Sequence, residues 1–143
     1  MWKASPGLCD YVAFSGSYMD AFQDCVLRIY AGVEPGSSSA DVSSHTLLCE
    51  IDAGGDPLGF EMGPPGVIIK DPDQVWSANE LANGTATFFR LCNVNDDDSE
   101  DPDAIRIQGS VGSLSGDMIL TNTTFATGSP RTIKHFSVVI PSI

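Results

Sequence analysis

Positive charge is what this sequence lacks most: 7 lysines and arginines stand against 19 aspartates and glutamates in 143 residues, a formal net charge of −12. A nucleic-acid-binding face needs clustered cations to displace phosphate counterions, so direct binding to DNA or RNA is excluded. Long apolar runs are missing as well. None approaches the ~18 residues needed to cross a bilayer, so no membrane association is expected. The start Met1-Trp2-Lys3-Ala4-Ser5-Pro6-Gly7 reaches Asp10 without a secretory apolar core, so synthesis in the cytoplasm is expected. Cys9, Cys25, Cys49 and Cys92 form no CxxC pair, and no histidine is placed to complete a structural zinc site with them. Free, mostly buried thiols are the expectation.

Catalytic signatures are equally scarce. Gly109, Gly112 and Gly116 are spaced wrongly for a dinucleotide-binding loop, and no Gly-Lys-Ser/Thr occurs for a phosphate-binding one. Gly112-Ser113-Leu114-Ser115-Gly116 carries leucine where a nucleophile elbow needs serine. His45 and His135, the only histidines, both fall in strand-like surroundings that suit structural roles. Neither enzymatic activity nor a cofactor is expected.

What is present is a globular, turn-rich composition, with 42% hydrophobic residues, 14 glycines and 9 prolines. The length suits a single domain over 1–143, large enough to bury roughly 68–70% of its unfolded surface. Ser17, before Tyr18 to Asp24, reads as the N-cap of a helix of one or two turns. Val26 to Ala31 is a strand, and Thr46 to Ile51 another that should put Leu47, Cys49 and Ile51 on one face. Between Asp52 and Pro72 only Val67-Ile68-Ile69 concentrates apolar residues, and Trp76 follows in a polar setting. Thr85 to Leu91 is a strand. Ile105 to Val111 alternates so that Ile105, Ile107 and Val111 share a buried face while Arg106, Gln108 and Ser110 face water or a partner. Further strands are expected at Asp117 to Thr121, Thr123 to Ala126 and Thr132 to Ile140. The last should bury Phe136, Val138 and Ile140 on one face and cover Val139 on the other. Seven to nine short strands with one short N-terminal helix describe an all-β chain, an antiparallel, jelly-roll-like β-sandwich.

The acidic loop over residues 93–104 holds six carboxylates, half the net charge. Asn93, Asn95 and Asp97 imitate the start of a calcium loop, but Asp98 replaces its turn glycine and Ala104 its bidentate glutamate. A solvated loop is therefore expected; were a cation held, Asp96, Asp97, Asp98 and Glu100 would be its ligands. Trp2, Trp76, Tyr11, Tyr18 and Tyr30 could form an aromatic platform for sugar, the alternative of a carbohydrate-binding module.

One ordered pattern goes beyond composition. Leu27-Arg28-Ile29-Tyr30-Ala31-Gly32 is followed by Pro35, Ser39-Ala40-Asp41 and Leu47-Leu48. Then come Gly84-Thr85-Ala86, Phe89-Arg90, Gly109-Ser110-Val111-Gly112, Ser115-Gly116-Asp117-Met118, Asn122-Thr123, Phe136 and Pro141. This series, from about Ser15 to Pro141, resembles small virion structural proteins of tailed bacteriophages, and among them the cement or decoration proteins of the capsid. The resemblance implies a place in the virion, with the major capsid protein and copies of itself as partners, including homo-oligomers at a symmetry axis. A neck, tail or fibre component is the alternative within the virion. Residues 1–15 read as an arm that orders on a neighbour, and Trp2, Lys3, Arg106 and Gln108 are the candidate partner-binding residues.

Overall fold

The computed structural model describes residues 2–139. With 40% strand and 9% helix the protein is all-β. The chain forms β1 (Lys3–Ala4), α1 (Pro6–Phe14), α2 (Tyr18–Ala21), β2 (Cys25–Ala31), β3 (Thr46–Ile51), β4 (Phe60–Met62), β5 (Val67–Lys70) and β6 (Trp76–Asn79). It continues through β7 (Gly84–Thr85), β8 (Phe88–Asn93), β9 (Arg106–Gly112), β10 (Met118–Ile119), β11 (Thr124–Phe125), β12 (Pro130–Ile133) and β13 (Ser137–Val139).

A six-stranded sheet in the order β1-β9-β8-β2-β3, with β10 added in parallel to β9, dominates the molecule. Smaller antiparallel sheets, β12-β6, β13-β5-β4 and β11-β7, complete it. Period-2 alternation sorts the large sheet into two faces. Leu27, Ile29, Cys49, Ile51, Phe89, Leu91 and Ile107 belong to the main apolar core, against Leu8, Phe22, Trp76, Ile133 and Val138. Each such side chain contributes about 1.5–3 kcal/mol on burial. An aromatic group closes this core: Phe136 lies 5.6 Å from Trp76 and 6.1 Å from Phe89, with Phe60 edge-on to Trp76.

Several elements differ from the sequence expectations. The helix capped by Ser17 is α2, closed by reciprocal bonds between Ser17 and Asp20 at 3.1 Å. A longer helix, α1, precedes it, so residues 2–15 do not form a free arm. Ser5 caps α1, accepts the Leu8 and Arg106 amides, and donates to the Ala104 carbonyl. Gly7 presses so closely on Asp103 that an added Cβ would collide with its carbonyl. The β2–β3 register shifts between Ile29 and Tyr30, making Leu48 the extra residue. Leu48 and Cys49 therefore both enter the main core, while Leu47 turns to the opposite face with Tyr30, Val42 and Phe88. Trp76 is buried in the core, its indole N–H donating to Gln74 Oε1 at 2.9 Å, which removes the polar setting. The expected final strand is two strands broken at Lys134 to Phe136, and Val139 is 56% exposed where cover was expected; Ile140 lies outside the described residues.

Candidate functional site

The second face of the large sheet carries arginines. Arg28, Arg90 and Gln108 face one another across β2, β8 and β9, and Arg106 lies one pair further along. A guanidinium in the middle of a strand reads as solvent-facing, yet Arg90, Arg106 and Gln108 are all 0% exposed and Arg28 is nearly so. Two loops seal them. Residues 34–42 supply carbonyl acceptors, from Pro35 to Gln108, from Ser38 and Ser39 to Arg106, and from Ala40 to Arg90. The acidic loop supplies charge. Asp96 takes Arg106 in a two-bond fork at 2.7 Å for each contact, and Asp98 accepts from Arg28 at 3.1 Å and from the Tyr30 hydroxyl at 2.7 Å. The loops are also tied to each other, Val42 N–H to the Asp98 carbonyl and Asp101 N–H to that of Ser39.

This arrangement corrects the reading of Arg106 and Gln108 as partner-facing. Their alternation was right, but the face they occupy is covered by irregular chain with no periodic signal. The clue was compositional: three of only seven cations fall in the runs read as β2, β8 and β9, with a carboxylate-rich loop between the last two. The acidic loop is likewise more than a solvated projection. Burial pushes the Asp96 carboxyl up, but the Arg106 fork and the Asp98 N–H outweigh it and hold the group below the usual carboxylate value. Asp97 instead accepts from Ser99 on the surface, and Glu100 is exposed. Among the described residues no group of three or more His, Cys, Asp or Glu side chains is arranged to hold a metal ion.

The open surface lies elsewhere. Off the β3 edge, one bridge from Asp52 to Ser77 leads to β6, and β6 pairs with β12. At the other end of the large sheet stands β10. Residues 118–121 and 131–135 line a cleft of about 380 Å³, a seam between β10 and β12, which do not pair with each other. Because Ser77 N–H bonds Asp52, Ser77 and Thr132 form a pair not bonded to each other, and the Thr132 amide points away from β6 into the seam. Ile119 stands on the rim, 59% exposed. The seam continues into a second cleft of about 210 Å³, where Trp2 joins Phe89, Met118, His135 and Phe136. Trp2 is thus half-buried, packed against the main core at the wall of this cleft. Lys3 stands on β1, paired with Glu34 at 3.0 Å, away from this cleft's lining.

The remaining chemistry is quiet. Cys25, Cys49 and Cys92 are free and buried, and burial pushes their thiols up to about 12, 11 and 12; Cys9 is free and exposed. Tyr30 stacks on Phe88 inside the second core and Trp76 is enclosed in the first, so neither is available to the alternative of an aromatic platform. No helix among the described residues is long and apolar enough to cross a membrane. Comparison with protein-family models, curated proteins and solved structures finds no match to this chain.

Proposed function

We propose that this protein is a structural component of a tailed-bacteriophage virion, acting as a cement or decoration protein that binds the outer surface of the capsid and stabilises it. The observation that carries the reading is the open seam. Unpaired strand edges beside an exposed apolar side chain, here Ile119, are templates for an added strand, and adhesion by β-augmentation is their most direct use. The guanidiniums of Arg28 and Arg106 are meanwhile engaged by Glu50, Asp96 and Asp98 inside the protein, so the rigidity of the large sheet does not depend on the partner. The resemblance of the strand and turn series to virion proteins supplies the setting. Strong negative charge suits that setting, since it repels packaged DNA.

Purification of intact particles tests the proposal. Hundreds of copies at fixed stoichiometry to the major capsid protein support cement, a few copies move the role to neck or tail, and absence from particles rejects a virion role. Thr132→Pro removes the amide that faces the seam without touching the β6 ladder. It is expected to lower particle occupancy about fivefold, the equivalent of one lost hydrogen bond of about 1 kcal/mol.

A further inference from the structure

The cations of this chain are unevenly placed. Arg28, Arg90 and Arg106 are enclosed in the buried row, while Lys3 and Arg131 are paired with Glu34 and Glu80. Lys70 and Lys134 remain, and among the described residues neither has a carboxylate partner. Both line one open cleft of about 540 Å³, together with His135, Ile69, Pro72 and Phe136. The Lys70 ammonium donates to the carbonyls of Asp71 and Gln74, which anchors it without neutralising it. Lys134 and His135 are exposed in the break between β12 and β13, and among the described residues their side chains make no hydrogen bond. Asp71 and Asp73 follow Lys70 in sequence but stay on their own turn, where Asp71 Oδ1 accepts the Asp73 amide. Among the described residues no carboxylate lines the cleft, an unusual patch in a chain with 19 acidic residues and 7 basic ones.

The densest negative charge of the sequence lies across the large sheet from this cleft. Asp96 and Asp98 of the acidic loop turn inward to Arg106 and Arg28, whereas Asp97, Glu100 and Asp103 are exposed. That loop covers the arginine face. The cleft belongs to the layer packed on the apolar face, where Phe136 meets Trp76 and Phe89. With the sheet between them, the loop of one chain is turned away from its own cleft, while the cleft of a second copy is open to it. We infer that the cleft is a docking site for a second copy of this chain, whose acidic loop brings Glu100 and Asp103 against Lys134, His135 and Lys70. Surfaces of opposite charge on opposite sides of one molecule make the contact head-to-tail, and its repetition closes a ring or runs on as a filament. Complementary charge also selects the register, because loop-to-loop contact would bring like charges together. The inference concerns copies of the chain in solution and does not rest on the virion reading.

The test is sedimentation equilibrium of the intact chain across a concentration series at fixed salt. The mean mass is expected to rise above that of the monomer. Lys134→Glu should weaken association about tenfold or more, and so should Glu100→Lys combined with Asp103→Lys, because each places like charges in the contact. The acidic-loop variant is the discriminating one: it makes a strongly acidic chain less so, and would strengthen an association governed by net charge alone. Mixing the two variants should restore assembly, since each supplies the surface that the other lacks. The exchanged side chains are exposed, and an unchanged melting temperature shows that a variant is folded; Lys134→Ala and Glu100→Ala are the milder replacements if one is not. A chain that stays monomeric at every concentration, an acidic-loop variant that associates as the native chain does, or a mixture that remains monomeric overturns the inference. Copy number in particles, by contrast, bears on the virion reading alone.

Discussion

The two faces of the large sheet are built from the same strands and are equally buried, but they are held by opposite means. The apolar face, with Ile29, Leu91 and Ile107, packs against α1 and the smaller sheets. Its partners are interchangeable in chemistry and demanding only in shape. The arginine face is demanding in chemistry: each guanidinium is met by particular oxygens from neighbouring strands and the two covering loops, and removing a charged partner leaves a charge stranded. Covering a sheet with loops is thus possible when the loops bring charge and carbonyls in place of side-chain volume.

The sharpest way to break this comparison is Asp96→Ala, which strands Arg106. A loss of about 4 kcal/mol in chemical denaturation is expected, the magnitude of a buried pair broken on one side. Leu91→Ala on the apolar face should cost about 3 kcal/mol by cavity formation. A loss at Asp96 well below that at Leu91 would show that the arginine face tolerates solvent. Acid titration separates the faces without mutation. The Asp96 pKa is depressed in the folded state, so its contribution is complete above the unfolded carboxylate value of about 3.9 and disappears as pH falls through the folded value. Stability should therefore hold from pH 7 to 5 and drop below 4, and Asp96→Asn should flatten that drop. Tyr30→Phe, which removes the bond to Asp98, should cost about 1–2 kcal/mol. The smallest effect is expected from Lys3→Ala, at most about 0.5 kcal/mol, since this partly exposed pair with Glu34 is largely screened.

The same contrast explains what the sequence made legible. β2, β3 and β9 were readable because their apolar residues alternate, and Ile107 and Cys49 went where that alternation put them. Leu47 did not, because a bulge shifts the register and leaves no mark in a hydropathy pattern. Arg106 and Gln108 were placed on the correct face with the wrong surroundings, because alternation says which residues point away from the core but not what lies beyond them. Helix α1 was hidden by Pro6 and Gly7 at its start, yet Ser5 before Pro6 is a start signal of the same kind as the one read at Ser17. The seam could not be read from any local pattern, since it depends on which edges β10 and β12 leave unpaired.

The bonds of Ser5 also have a meaning in time. Its hydroxyl closes α1 and receives the Arg106 amide 101 residues away, while β1 completes an edge of β9. The N-terminal segment leaves the ribosome well before β9, so its bond to Arg106 waits until the 101 residues that separate them have been made. Closing this contact is therefore a late, long-range step, slow by the standards of chains whose contacts are local.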